Sequence, residues 1–506
     1  MQERTERIAR NTIFLYIRTF FTMLISLYTS RVVLRILGVE DYGIYNVVGG
    51  ISASFAFLSA ALSNATHRYL SYEIGCNNET RLNQIFSQNL IIYSLYALIS
   101  FLLIELGGRW LVCYKLNIPL ERINAAMWVL HSTSVTLCIT ILSSVYESVL
   151  VSRENMKMYA YIGVYDSIIK LVLVFTISVI SYDKLILYSI LITIAISSSK
   201  IFLYLYAKRK YLETSFKFYW NGATFKEIFK FSGWNLFDAF VFLLNDQGIN
   251  MLLNIFFGPT INAARGISLQ VKSAVLNFSS GFLTAMRPQI VKSYSSGDII
   301  YFRSLVYNCG KYSFFLLYML SLPIIMRIQP ILNFWLGDVP SMTAQFVIWM
   351  LVFNLINSLC DPFWQGIQAV GDLKWYVLLG NSVYILVFPI SYIALKLGGS
   401  PVITFQIVAI IRLIYLAVVL LVFNRYVKIN FVEYVTRVLI PIVKVMTVSL
   451  MSTALVSYLI TDISILCVLL TCVINVIIII LAIVLFGMNV NERSILIDKI
   501  KSTLIK

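Results

Sequence analysis

Apolar segments long enough to cross a membrane recur from residue 12 to residue 486, and they constrain this chain more than any other feature. Crossing a hydrocarbon core of about 30 Å takes roughly 20 helical residues, each adding about 1.5 Å. Of the 506 residues, 59% are hydrophobic and only 13% are charged. The connections between the segments are shorter than a compact soluble domain needs. The sequence therefore predicts an all-α polytopic membrane protein with about fourteen transmembrane helices.

The distribution of Lys and Arg predicts the orientation, because short basic loops stay in the cytoplasm. Arg4, Arg7 and Arg10 precede the first segment, and the connection after the sixth segment is the most basic of all. The opposite loops carry fewer basic residues, so both termini are predicted to be cytoplasmic. Much of the net charge of +16 is then a topology signal and does not indicate nucleic-acid binding. The basic residues after the sixth segment are Lys208, Arg209, Lys210, Lys217, Lys226 and Lys230.

An internal repeat divides the chain when its first part is laid over its second. Gly38 aligns with Gly258, and Lys157 aligns with Lys374. We predict an N-terminal six-helix lobe at 1–208 and a C-terminal six-helix lobe at 226–425, followed by two extra transmembrane helices at 435–486 and a cytoplasmic tail at 487–506. Because six is an even number of spans, the two lobes should be related by a pseudo-two-fold axis along the membrane normal, with a cleft between them.

Two short motifs carry a resemblance to a known family. The segment from Arg35 to Tyr45 (RILGVEDYGIY), and Asp246 followed by Gly258, resemble the polysaccharide flippases of the multidrug/oligosaccharidyl-lipid/polysaccharide exporter superfamily. The likeness covers nearly the whole chain and includes the layout of six, six and two helices. It implies a bacterial inner-membrane transporter that moves an undecaprenyl-pyrophosphate-linked oligosaccharide to the periplasmic leaflet, for O-antigen (lipopolysaccharide) or capsule assembly. One departure is Gln247, since the family often has a basic residue at that position.

Basic side chains inside the apolar segments are the main clue from the residues themselves. Each costs about 2.5–3.5 kcal/mol near the centre of a spanning helix unless it faces water or a partner. We predict that they line a solvated path for an anion, with Arg265 and Lys272, on one face of the eighth segment, as the first choices. The whole set is Arg18, Arg31, Lys170, Lys200, Arg265, Lys272, Lys311, Arg412 and Lys444.

The role of several of these residues has two possible interpretations from the sequence. Arg18 either faces the path or extends to the cytoplasmic interface, and Arg31 either receives a translocated phosphate or contacts lipid headgroups. Lys311 and Arg412 are candidate substrate contacts that need a partner, which the sequence does not name. Lys170 lies one turn after Asp166, which favours mutual neutralisation. Lys200 and Lys444 are interpreted as interfacial or packing residues.

Polar stripes provide candidate walls for a sugar. On the eighth segment one helical face carries Ser273, Asn277, Ser280, Thr284 and Arg287, and on the second segment one face carries Ser52, Ser59, Ser63 and Thr66. Both stripes are predicted to face the cleft. The alternative is that hydroxyl groups join neighbouring helices, which is common in membranes.

Acidic and amide side chains inside the segments suggest ion coupling. Asp246 is the first choice for binding Na⁺ or H⁺, and its alternative is an ion pair with Arg265 or Lys272. The further candidates are Asp238, Asn250, Glu147 and Asp361.

Together these features predict a flippase that works by alternating access, with a lipid-linked anionic oligosaccharide, membrane lipids and H⁺ or Na⁺ as partners. A lipid II flippase and a cation-coupled drug exporter of the same superfamily remain alternatives, although a basic path suits organic cations poorly. A membrane-embedded glycan polymerase is the least expected, because the chain has no H-E-x-x-H, paired-cysteine or phosphate-loop signature. No enzymatic activity and no cofactor are predicted.

Overall fold

The computed structural model describes residues 2–494, except residues 77, 154, 178, 429–430, 461–463 and 490–491. The described residues form helices and no β-strand. The helices are α1 (Gln2–Ala53), α2 (Ala56–Gly75), α3 (Glu79–Tyr114), α4 (Leu120–Ser152), α5 (Met156–Ile177), α6 (Lys184–Lys210), α7 (Gly222–Phe257), α8 (Pro259–Ser295), α9 (Ile299–Met326), α10 (Ile328–Leu336), α11 (Thr343–Val370), α12 (Lys374–Lys396), α13 (Val402–Val427), α14 (Phe431–Leu459) and α15 (Ile465–Gly487).

Among the described residues, twelve helical segments are long and apolar enough to cross a membrane. The more polar helices α2 and α8 lie outside this set, and they occupy the positions of the predicted second and eighth segments. The chain is thus a multi-pass membrane protein, and the predicted all-α polytopic fold is confirmed.

Two glycines turn the chain at positions that align in the predicted repeat. Gly38 has φ 78° and ψ 171° and breaks α1, while Gly258 has φ 80° and separates α7 from α8. A positive φ is open to glycine because it has no Cβ. At Gly38 a single residue makes the turn, and the helix resumes directly after it.

Replacing Gly38 by Ala should lower stability by about 1–3 kcal/mol through backbone strain alone, because φ 78° with ψ 171° lies in a region that only glycine readily adopts. A Cβ at Gly38 would have no heavy atom within 4 Å, so steric contact contributes nothing. Gly233 is the matched control because it also has open space but lies at a helical position, where Ala is expected to stabilise by about 0.5–1 kcal/mol. Thermal unfolding in detergent measures both variants, and equal midpoints would contradict the strain argument.

The chain forms two packing units, Met1–Ile267 and Ser268–Lys506. In the first unit α4 packs against α3 and α6, α1 packs against α5, and α7 packs against α2. In the second unit α11 lies between α9 and α13, and α14 and α15 pack against each other and against α9. The packing boundary falls within α8, after the start of the predicted second lobe, because α7 joins the first unit. The lobe boundaries at 208 and 226 describe the sequence repeat and stay a prediction.

Candidate functional site

Arg265 and Asp246 form a short ion pair between the start of α8 and the middle of α7. Arg265 Nη2 donates to Asp246 Oδ1 at 2.7 Å and to the Asp246 carbonyl oxygen at 2.8 Å. The Arg265 residue is only 4% exposed, whereas the Asp246 side chain is 44% exposed. The alternative kept for Asp246, a pair with Arg265, is what the structure shows. Its carboxylate nevertheless stays open to a ligand or an ion from one side.

Gln247 takes part in the same site. Its Nε2 donates to Asp246 Oδ2 at 3.0 Å, so both carboxylate oxygens have a donor. Gln247 stands where the family often has a basic residue, yet Asp246 still has an ionic partner. That partner is Arg265 on α8.

Lys272 is half-buried on α8 within the second unit. Its Nζ lies 4.7 Å from the centre of the Phe353 ring, a cation–π distance. Its carbonyl oxygen accepts a hydrogen bond from Asn354 Nδ2 at 3.1 Å. These contacts fix the helix against α11 and orient the ammonium over an aromatic face. Its predicted role as an anion contact stays a prediction.

The polar stripe of α8 is exposed. Ser273, Asn277, Ser280 and Arg287 are all exposed, and Arg287 Nη2 donates to Gln368 Oε1 at 2.8 Å. The Thr284 side chain lies outside the described residues. These exposed polar groups lie where a sugar-binding wall was predicted, and their role as such a wall stays a prediction.

The stripe on the second segment behaves differently. Ser52 Oγ lies 2.8 Å from Thr133 Oγ1, and Thr66 Oγ1 donates to Asn89 Oδ1 at 2.9 Å. Ser52 and Thr66 are buried in these contacts with α4 and α3. For these two residues the alternative of helix-to-helix hydrogen bonding is confirmed, because polar partners across the interface take up their hydroxyl groups.

In each unit, an acid on one helix lies near a base on the next helix but one. Glu147 on α4 pairs with Lys200 on α6. On α11, Asn357 Nδ2 donates to both carboxylate oxygens of Asp361 at 3.0 and 2.9 Å, and its Oδ1 accepts from Arg412 Nη2 on α13.

This arrangement changes the interpretation of several charges. Lys200 was predicted to be an interfacial or packing residue, and the structure adds an ionic partner, Glu147, on α4. Arg412 is buried, and its guanidinium also lies 4.2 Å from the centre of the Tyr415 ring. Glu147 and Asp361 thus have partners inside their own units, and their proposed ion coupling stays a prediction.

Lys311 finds a partner far away in the sequence. Its Nζ donates to both carboxylate oxygens of Glu492 at 2.9 and 2.8 Å, and the residue is only 1% exposed. Glu492 belongs to the predicted cytoplasmic tail and also accepts from the Asn489 N–H at 2.8 Å. The charge of Lys311 is therefore compensated within the second unit by the segment that follows α15.

The remaining candidates are placed as follows. Arg31 is exposed, Asp238 is half-buried on α7, and the Arg18 side chain lies outside the described residues. Lys170 Nζ donates to Asp166 Oδ2 at 2.6 Å, which confirms their mutual neutralisation. Lys444 is exposed.

Asn250 belongs to a buried asparagine network that the sequence reasoning missed. Asn262 Nδ2 donates to Asn250 Oδ1 at 2.9 Å, and Asn254 Nδ2 donates to Asn262 Oδ1 at 3.1 Å. Asn250 Nδ2 donates to the Asn46 carbonyl oxygen at 3.3 Å. The amides join α7, α8 and the second part of α1. Asn250 and Asn254, one turn apart in an apolar segment, were the signal that could have indicated it.

Gly43, within the motif that carries the resemblance, marks a close approach of helices. A Cβ at this position would lie 1.8 Å from the Pro259 carbonyl oxygen, so only glycine fits. Both glycines of the motif thus have a structural role, since Gly38 turns the chain inside α1 and Gly43 allows the close approach to Pro259.

A three-residue ion cluster at one end of the first unit was also missed. Arg122 pairs with Asp41 and with Asp183, each at 2.6 Å. Although burial raises the pKa of Asp183, hydrogen bonds from Arg122 and from the Ile186 and Leu185 N–H groups hold that pKa below its ordinary value. The cluster ties α1, α4 and the start of α6 together.

Comparisons with known proteins identify the fold. No family model and no curated protein matches the chain. A solved structure of the lipid II flippase MurJ in an inward closed conformation aligns with a TM-score of 0.72 and 15% identity, over 94% of this chain and 98% of that one. An inward-facing multidrug resistance MATE family transporter of the MOP superfamily aligns at 0.68 and 12% identity, over 82% of this chain and 98% of that one. A MOP superfamily transporter from Pyrococcus furiosus aligns at 0.56 and 11% identity, over 83% and 95%. The chain therefore has the transporter fold that the lipid II flippase MurJ and the MATE transporters share.

Proposed function

We propose that this protein is a flippase that translocates an undecaprenyl-pyrophosphate-linked oligosaccharide across the bacterial inner membrane for O-antigen or capsular polysaccharide assembly. It works by alternating access, with both termini in the cytoplasm and with H⁺ or Na⁺ as the coupling ion. The proposal needs no covalent step and no cofactor. It rests on the chemistry of α8.

The observation that supports this proposal is that α8 is basic and polar along its length and contains no acidic residue. Between Pro259 and Ser295 it carries Arg265, Lys272, Arg287 and Lys292. The exposed Ser273, Asn277 and Ser280 lie between these cations. A pyrophosphate is attracted by such a helix, and the hydroxyl and amide groups suit a sugar. An organic cation would be repelled, which disfavours the drug exporter.

A lipid II flippase is the second candidate, because MurJ is a flippase with the same fold over 94% of this chain. Both substrates carry a polyprenyl pyrophosphate, so a cationic α8 suits either. The peptide of lipid II is the chemical difference between the two. An assay with both substrates separates them.

The test is translocation of the two pyrophosphate lipids in proteoliposomes under imposed H⁺ or Na⁺ gradients. The wild type should move the oligosaccharide lipid, and Lys272→Gln should slow this movement roughly tenfold to a hundredfold, as the loss of one charge-assisted hydrogen bond of about 1.5–3 kcal/mol implies. Lys444→Gln is the control, since Lys444 is exposed and lies on α14. Movement of lipid II alone would replace the proposal by the second candidate. Movement of neither lipid, or full activity of Lys272→Gln, would overturn the proposed function or its site.

A further inference from the structure

The segment between α6 and α7 is fixed along the first unit despite having almost no helix of its own. Asn83 Nδ2 donates to the Glu213 and Ser215 carbonyl oxygens at 2.9 and 2.6 Å. The Lys217 N–H donates to Ser87 Oγ at 3.1 Å, and Gln88 Nε2 donates to the Asn221 carbonyl oxygen at 2.9 Å. Side chains of α3 thus replace the backbone partners that a helix or strand would supply. These hydrogen bonds hold the segment in place on the first unit.

A cavity of about 800 Å³ opens between this segment, the first turn of α3 and the end of α4. Its volume lies in the range of ordinary ligand sites, about 300–1,000 Å³. Two tyrosines line it, and the Tyr219 hydroxyl is held by Arg81 Nη1 at 3.2 Å. The cavity therefore offers aromatic walls and a positioned hydroxyl group.

The charges around the cavity favour an anion. Arg153, Lys210 and Lys217 line it, and so do Glu79 and Glu213. Glu213 is buried and neutralised by Arg153 Nε at 2.8 Å. Lys210 and Lys217 are exposed and face one exposed acid, Glu79. Lys210 Nζ donates a hydrogen bond to the Tyr206 hydroxyl at 2.9 Å, and this contact orients the ammonium group.

An exposed aromatic rim borders the cavity. Phe216, Phe218 and Trp220 are 53%, 80% and 45% exposed, at alternate positions of the extended segment. Lys208 and Arg209 are exposed at the end of the spanning helix α6. Aromatic rings and basic side chains at the end of a spanning helix are typical of the lipid headgroup level. A water-soluble partner would not require this position at the end of a span.

We propose that the cavity and its aromatic rim bind the headgroup of an anionic phospholipid of the surrounding bilayer. The lipid phosphate lies between Lys210 and Lys217, and Phe218 inserts beside the headgroup. The site is separate from α8, and lipid binding there does not depend on which substrate is transported.

The test is native mass spectrometry of the full chain released from mixed micelles of phosphatidylglycerol and phosphatidylcholine. The wild type should retain phosphatidylglycerol roughly thirtyfold over phosphatidylcholine, because Lys210 and Lys217 each contribute about 1 kcal/mol near an anionic phosphate. The Lys210→Gln/Lys217→Gln variant should remove that preference. The Lys396→Gln/Lys444→Gln variant is the control, because both lysines are exposed and lie elsewhere.

Two further measurements identify the molecule that binds in the cavity. Phe218→Ser keeps the cavity cations and should weaken retention of phosphatidylglycerol, whereas a soluble phosphate ligand would not respond to it. Glycerol 3-phosphate in excess should fail to displace the lipid. Displacement by it, unchanged retention in Phe218→Ser, or an equal loss of preference in both lysine variants would each overturn the proposal. Transport is not measured, so these outcomes are independent of the proposed function.

Discussion

Replacing Glu492 by Gln should destabilise the second unit by about 3 kcal/mol, at the low end of the range of about 3–5 kcal/mol for breaking a buried ion pair. The change leaves the ammonium of Lys311, which is only 1% exposed, without its counter-charge. The cost is expected at the low end of this range because the Glu492 side chain is 22% exposed, so water can reach the site after the substitution. Thermal unfolding and proteolysis of the tail in detergent measure the effect.

Two controls separate the buried charge from other causes. The double variant Lys311→Met/Glu492→Gln removes both charges and should recover most of the lost stability. Glu433→Gln breaks the Glu433–Arg437 pair, whose arginine is half-exposed, and should cost under about 1 kcal/mol. A loss in Glu492→Gln no larger than that in Glu433→Gln would contradict the argument.

The same pair gives a pH dependence with a definite sign. Burial raises the pKa of Glu492, but the hydrogen bonds from Lys311 and Asn489 and the charge of Lys311 outweigh it, so the pKa lies below its ordinary value of 4.5. A lowered carboxyl pKa stabilises the folded state above the unfolded value, and this contribution is lost as the pH falls through the folded value. The wild type should therefore lose stability below about pH 4.5 relative to Glu492→Gln, which has no such group.

The sequence predicts the spanning helices well because apolar length is a local property. The turns at Gly38 and Gly258 also follow from the sequence, as aligned glycines at the ends of apolar segments. Partners of buried charges depend on how distant helices pack. Lys311 and Glu492 are 181 residues apart, and no local pattern joins them.

The same limit applies to the candidate site. Asp166 and Lys170 could be paired from their spacing, since both lie on one helix. Asp246 and Arg265 were foreseen as an alternative because α7 and α8 are consecutive. The partners of Lys200 and Arg412 come from helices that are not adjacent in sequence, so the residues alone did not name them.

The second large effect concerns the Arg265–Asp246 pair. Arg265→Gln should slow translocation of the pyrophosphate lipid by roughly tenfold to a hundredfold, the factor that one charge-assisted hydrogen bond of about 1.5–3 kcal/mol supplies. It should cost little stability, because the half-exposed Asp246 carboxylate stays hydrated when its partner is lost. Asp246→Asn should cost more stability, since it leaves the buried Arg265 charge uncompensated. Its transport should no longer respond to the H⁺ or Na⁺ gradient.

The double variant Asp246→Asn/Arg265→Gln decides what the pair is for. Removing both charges should restore stability close to that of the wild type, because no buried charge is left alone. If Arg265 binds the pyrophosphate and Asp246 couples the ion, translocation stays slow in the double variant although the fold is recovered. If the pair only holds α7 against α8, translocation returns together with stability. The burial of Arg265 alone does not distinguish a transport site from a structural ion pair. Unfolding midpoints and translocation rates measured on the same preparations therefore make that distinction.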